Sequence, residues 1–363
     1  METPASHFYD TMMRSLSPDP LSAPWYYRKA LRGASRLHPH SEEELDPDRK
    51  IVTQFFRDTS KTALAKNDSP DIGFTFDLNP YRGCEHGCIY CYARPTHEYL
   101  GFSAGLDFET KIMVKPDIHL LLEKEFQKKN WKPSTISVSG NTDCYQPIER
   151  KLQLTRKCLE VFLKYRNPVG IITKNALITR DIDLLSELAA LQLVTTTITI
   201  TTLDKDLQQK MEPRTSSPEQ KLKAIESLAN AGINVGVSLS PVIPGLNDSE
   251  MPAILKRASE HGASFAFYTM LRLPHAVQEL FLEWLGREYP DRAGKVINRL
   301  KDIREGKLTN SEFGKRMTGT GEIADSISQL FELTCKKYGF NEQKYRLSTD
   351  LFIGKQTDQM DLF

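Results

Sequence analysis

The chain has 363 residues and a mass of 41.3 kDa, with 48 Lys and Arg against 47 Asp and Glu, a formal net charge of +1. That length buries a large core in one enlarged domain or two ordinary ones, and the balanced charge excludes a global field for nucleic acid or anionic membrane, so any such binding must come from a local patch. With six cysteines, no apolar leader and no run of about 18 apolar residues, the sequence predicts neither signal peptide nor membrane span and favours metal or redox chemistry over disulfides, in a cytoplasmic setting.

Residues 1 to 70 are polar, contain prolines and are weakly periodic; they are expected to form an N-terminal extension. From residue 71 to 275 short β-rich runs alternate with amphipathic helical patterns. The predicted strands are "FTFDLN", "TISVSG" (135–140), "VGIITK" (169–174), "VTTTITIT" (194–201), "INVGVSLS" (233–240) and "SFAFYTML" (264–271). Between them lie helical stretches such as "RKLQLTRKCLEVFLKY" and "SPEQKLKAIESLANAG", the latter opened by Ser216 or Ser217 and closed by Gly232. Alternating β and α elements predict an α/β fold with a parallel sheet. Six such units suit a partial (βα)6 TIM-type barrel better than the closed eightfold one. Residues 276 to 363 form a helical C-terminal region and tail.

In such a barrel chemistry collects at the C-terminal strand ends, where loops converge. "NPYRGCEHGCIYCYARP" (79–95), "GNTDCYQP", "TKN", "EPRTSSP" and "SPVIPGLND" all fall there, which implies one shared pocket. Cys84, Cys88 and Cys91 sit within eight positions. A structural zinc site would need a fourth ligand, His86 or the more distant His97. An iron-sulfur cube held by three thiolates needs none and leaves one iron open to a small molecule. Gly83 and Gly87 would let the backbone curl around it.

The C-x3-C-x2-C pattern with Tyr90 before the last cysteine resembles the signature of the radical S-adenosylmethionine (radical SAM) superfamily. With "TDCYQPIER" and "EPRTSSPEQKLKAIESLANAGINVGVSLSPVIPGLND", the chain is similar to its spore photoproduct lyase-like branch, also called DNA repair photolyase-like, over about residues 62 to 340. The resemblance implies a 4Fe-4S cluster on Cys84, Cys88 and Cys91 and SAM as the second cofactor. A reducing partner such as flavodoxin or ferredoxin would supply the electron that splits SAM to methionine and a 5′-deoxyadenosyl radical. Asn141, Thr142 and Asp143 match the loop that holds the SAM amino group, and Lys174 matches a lysine that approaches SAM. Arg214 would brace the SAM carboxylate or pair with Glu212 or another acid, and Ser238 and Ser240 share a strand face that lines the nucleoside pocket or fills the barrel interior. Tyr90 and Tyr92 match the radical-relay tyrosines of the lyases. Their hydrogen-donating cysteine has no counterpart in register; Cys144, a few residues on, is expected to be either the donor or a small buried side chain.

Cys158 and Cys335 read as core residues. Residues 291 to 317 hold eight Lys and Arg against four Asp and Glu, a local excess that suits a phosphate backbone or a solvated helix face. Tyr268, Phe265 and Phe267 would stack on a base or pack in the core. The expected function is therefore radical SAM chemistry, on nucleic acid in a photoproduct lyase-like repair reaction. Radical modification of a peptide or RNA, or a non-catalytic Fe-S or zinc module that binds nucleic acid, are the alternatives.

Overall fold

The computed structural model describes residues 52–354, so most of the expected N-terminal extension and the last tail residues lie outside the described residues. Six strands run parallel in chain order: β3 (Phe76–Leu78), β6 (Ile136–Val138), β7 (Val169–Thr173), β8 (Val194–Thr199), β9 (Val235–Val242) and β10 (Phe265–Met270). Strand β10 ends the sheet on one side, and β2 (Leu64–Lys66) caps β3 antiparallel on the other, so the barrel is open. The β-branched runs explain this order: Ile136, Val138, Val169, Ile171, Val194, Ile198, Val235 and Val237 are all buried between sheet and helices. Each contributes about 1.5 to 3 kcal/mol relative to exposure.

Helices fill each crossover. Leu154–Tyr165 buries Leu159, Phe162 and Cys158, and the helix Pro218–Asn230 opens on a capping box between Ser217 and Gln220. Gly232 follows its C-cap residue Ala231 with φ +75°, the left-handed turn that favours glycine. The C-terminal region adds helices Ala276–Glu288, Pro290–Asp302 and Glu322–Tyr338, the last burying Cys335. Among the described residues no helix is long and apolar enough to cross a membrane.

Two features depart from the sequence reading. Residues 54–57 and 64–66, assigned to the polar extension, are strands: β1 (Gln54–Arg57) pairs with β5 (Lys111–Val114), and β2 with β3. The first barrel strand also does not run straight into the cysteine loop. The chain first forms β4 (Tyr81–Arg82), antiparallel to β5, so a second three-stranded sheet is fastened beside the barrel where the cysteines begin. Alternation over so few residues is too short a signal for sequence to reveal.

Strand β10 would leave a bare edge, but Asn341, at φ +63°, answers it. Its side-chain amide accepts from the Ala266 N–H and donates to the Ala266 carbonyl, both at 3.0 Å, and the Met317 carbonyl accepts from Met270 N–H at 2.8 Å.

Candidate active site

The loops after the parallel strands are stitched together around the cysteines. Cys84 N–H bonds the Phe108 carbonyl at 2.9 Å, and Glu85 N–H bonds the Gln146 side chain of the β6 loop at 2.9 Å. Ile148 N–H returns a bond to the Glu85 carboxylate at 2.7 Å. Arg214 N–H reaches the His86 carbonyl at 3.3 Å, and Ile89 N–H the Met211 carbonyl at 3.0 Å. With Lys174 bonding Asp143 through its N–H and the Ser240 carbonyl through Nζ, the five sequence clusters meet at one end of the barrel.

Arg94, which the sequence reading did not single out, anchors the loop from beneath. It is 1% exposed, yet all five of its N–H groups are used: on the carbonyls of Cys88, Gly87, Ala104 and Gly105 and on the Glu109 carboxylate, at 2.8 to 3.1 Å. The other oxygen of Glu109 holds the Arg214 guanidinium, which also donates to the Glu85 carbonyl. Of the two readings for Arg214, the structure shows the ion pair, and with Glu109 rather than Glu212. Gly87, at φ +65°, passes so close to this pair that a Cβ there would collide with both side chains.

A second buried hub lies on the other side of Cys88. Glu212 is 0% exposed and accepts from Lys221 at 2.8 Å, Lys174 at 3.1 Å, and the hydroxyls of Tyr90, Thr201 and Thr215. Burial works to raise the Glu212 pKa, but the two ammonium groups and these donors outweigh it and hold the carboxyl well below its ordinary range. Burial pushes Lys221 down, against the pull of Glu212. Two cations share one carboxylate beside Cys88, where Glu212 works to raise the thiol pKa and Lys174 and Lys221 work to lower it.

The structure locates the remaining predicted residues as follows. Asp143 accepts from the Thr173 hydroxyl and the N–H groups of Lys174 and Tyr145 at 2.7 to 2.8 Å and faces His86 Nδ1 at 3.4 Å. Burial opposes its charge, yet His86 and these donors hold its pKa below the usual value. Thr142 donates its hydroxyl to the Tyr81 carbonyl, and the N–H groups of Asn141 and Thr142 converge on the Asn79 side chain. Ser238 is buried and donates to Ser240 Oγ at 2.7 Å. Lys174 adds the Ser240 carbonyl at 3.0 Å and Thr201 at 3.3 Å to its ion pair, and its ammonium lies 5.4 Å from the Tyr90 ring centroid. Asn141, Lys174, Arg214 and Ser240 remain part-exposed. Cys144 is 0% exposed and packed in the core, with Thr155 donating to its carbonyl. Tyr92, in contrast, is 45% exposed and donates to the Gly140 carbonyl.

The three cysteines carry free thiols, and Cys84 and Cys88 are buried. Burial pushes all three pKa values up, and Cys84 is raised further by Asp143 and by Cys88 and Cys91 beside it. Bare thiols here stay neutral, and coordination to a metal is what would make thiolates of them. Among the described residues no three His, Cys, Asp or Glu side chains close around a single ion. His86 is turned to Asp143 and Asn175, and His97 hydrogen-bonds the Lys111 carbonyl through Nε2 at 2.8 Å, its pKa pushed by burial down to about 4. A zinc tetrahedron therefore lacks its fourth ligand. A cube, which holds its thiolates farther apart than one ion does, fits a site with three thiols, two lysines near Cys88 and a loop fixed by Arg94.

The superfamily pattern described as radical SAM matches residues 78–258. An uncharacterized protein of Mycobacterium tuberculosis is 33% identical over 246 residues, 67% of this chain and 71% of that protein. One from Methanocaldococcus jannaschii is 27% identical over 227 residues, 62% of this chain and 81% of that protein. The chain belongs to the radical SAM superfamily, whose cofactors are a 4Fe-4S cluster and SAM. In fold it is similar to spore photoproduct lyase: the structure of that enzyme complexed with dinucleoside spore photoproduct superimposes with a TM-score of 0.58 at 15% identity over 93% of each chain. A second, a mutant with bound AdoMet and the same dinucleoside, gives 0.58 at 14%.

Proposed function

We propose that this protein cleaves SAM reductively at a 4Fe-4S cluster held by Cys84, Cys88 and Cys91, in a lyase-like reaction on nucleic acid. When bound, the two cofactors supply an electron and, from the split sulfonium, a 5′-deoxyadenosyl radical. The observation that carries the reading is the three-thiol loop locked between the Arg94 anchor and the Lys174–Glu212–Lys221 hub. Beside Cys88 the ammonium groups of Lys174 and Lys221 favour the thiolate that ligation demands, against the Glu212 carboxylate that opposes it. Asn141, Lys174 and Ser240, part-exposed on the rim, would hold SAM: an ammonium for its carboxylate, an amide and a hydroxyl for its other polar groups. Thr142, Asp143, Ser238 and Arg214, engaged with protein partners, support that rim. Tyr92 is the exposed tyrosine beside the cluster loop and would meet the substrate, whereas Tyr90 is buried against Glu212. Support for a lyase-like reaction on nucleic acid comes from the fold shared with spore photoproduct lyase. A flavodoxin- or ferredoxin-type donor would supply the electron.

The test is anaerobic reconstitution followed by dithionite and SAM. About four irons per chain, brown colour and release of 5′-deoxyadenosine and methionine are expected. Equal release from a protein with all three cysteines replaced by alanine would overturn the reading, as would a colourless protein holding one zinc.

A further inference from the structure

Beside Tyr92 of the cysteine loop, the mouth holds a cation without an ion-pair partner among the described residues. Arg272 follows β10 between the buried Leu271 and Leu273, and this alternation turns its side chain to the other face. Its guanidinium lies 4.9 Å from the centroid of the exposed Tyr92 ring, and its hydrogen bond runs to the Met317 sulfur at 3.2 Å. Among the described residues no carboxylate stands within ion-pair distance of it, and Asp71, engaged by Arg316, acts on it only from farther off.

The surroundings deepen the positive charge. Arg304, 1% exposed, donates to the Leu271 and Lys315 carbonyls at 2.9 and 3.0 Å, and its buried Nε finds no partner among the described residues. Burial and the neighbouring Arg272 push the Arg304 pKa down to about 10. Arg316 is satisfied by Asp71 at 2.5 Å and stands 4.5 Å from the centroid of Phe313, a ring 55% exposed. Asp71 is in turn held by the Gly314 N–H at 2.7 Å. Arg272 and Arg316 thus both act on Asp71, and Arg316 already engages it. The same unit occurs twice: an exposed aromatic face with a guanidinium laid on it, Tyr92 under Arg272 and Phe313 under Arg316.

Alternating π-faces and cations are what an unpaired strand of nucleic acid requires, since bases stack on rings while phosphates meet guanidinium forks. An acidic peptide would use the cations and leave the rings idle. We propose that Tyr92, Arg272, Phe313 and Arg316 form a strip that seats single-stranded nucleic acid across the barrel mouth, with Arg272 receiving a phosphate beside Tyr92. This rests on the reading of the mouth as the active site, and it adds which residues select the substrate. The basic run at 291–317 contributes through its last residues and not as a uniform patch: Arg299 pairs with Asp248, and Lys315 with Glu305 and Glu312.

The test is fluorescence anisotropy of a labelled oligothymidylate with the cluster-loaded full chain, across a salt series. Arg272→Gln should weaken binding about tenfold or more, the loss expected for one charge-assisted contact, and flatten the salt dependence by about one phosphate contact. Phe313→Ala should weaken it about tenfold without changing the salt slope. Because Phe313 is exposed, this variant decides the matter if Arg272→Gln fails to fold by circular dichroism. Wild-type affinity in both variants would overturn the proposal, and so would polyglutamate competing as well as unlabelled oligonucleotide. Release of 5′-deoxyadenosine by the same wild-type preparation scores the reaction separately: release without oligonucleotide binding sinks the strip alone, and binding without release sinks the reaction alone.

Discussion

Arg94 and Arg272 both touch the cysteine loop, one through the Gly87 and Cys88 carbonyls and one through the Tyr92 ring, and are treated in opposite ways. Arg94 is sealed from water and has all five donors matched by four carbonyls and a carboxylate. Arg272 is part-exposed, rests on a tyrosine ring and has a thioether for its partner. Burying a cation is costly unless the protein itself solvates it, as Arg94 is solvated and Arg304, with its Nε open, only in part. One at a water-filled rim tolerates an open valence until a ligand arrives. The cysteine side is therefore construction that precedes function, and the β10 side is where selectivity is left to the incoming molecule.

The sharpest way to break this contrast is Arg94→Ala. It leaves Glu109 with Arg214 alone and releases the Gly87 and Cys88 carbonyls of the cysteine loop and those of Ala104 and Gly105, so the unfolding free energy should fall by about 3 to 5 kcal/mol, and the reconstituted protein should lose most of its iron. Denaturant titration and iron analysis measure both. Retention of full iron and stability would mean that the loop is held by its own turns.

Next in size is Glu212→Gln, which leaves two ammonium groups facing a neutral amide and should cost about 3 kcal/mol. The pH dependence gives a second reading. Because the folded protein holds the Glu212 pKa below its unfolded value, the stabilisation is complete above the ordinary carboxylate range near 4.5 and is lost progressively as the pH falls below it. Melting curves of the wild type should therefore drop more steeply on acidification than those of Glu212→Gln. Parallel profiles would remove the hub from the acid response.

The smallest effect is expected for Cys144→Ala. A fully buried thiol replaced by a methyl should cost about 1 kcal/mol and leave the product spectrum of the reaction unaltered. A shift to by-products with the cluster intact would show that the thiol does reach the substrate radical and that the core around it opens.

These residues also mark what sequence alone makes legible. The six barrel strands stood out because runs such as "VGIITK" and "VTTTITIT" are β-branched, and the cysteine loop because its spacing is rare. Lys221 was legible and passed over: with Pro218, Leu222, Ile225 and Leu228 it falls on the 3-4 spacing of a buried helix face, where a lysine calls for a buried partner. Arg94 was not legible, since four of its five bonds go to carbonyls that any residue could present. Strands β1 and β2 were hidden because short strands owe their existence to partners elsewhere in the chain, such as Lys111 opposite Gln54.

Asn341 has a bearing on how molecules of this protein behave toward each other. With one amide it occupies the N–H and the carbonyl of Ala266 that a seventh parallel strand would otherwise use. A chain without that amide would present β10 as an open docking edge, a template for sheet-to-sheet growth between copies. The shelf life of a concentrated solution thus depends on a side chain that stands apart from the cysteine loop.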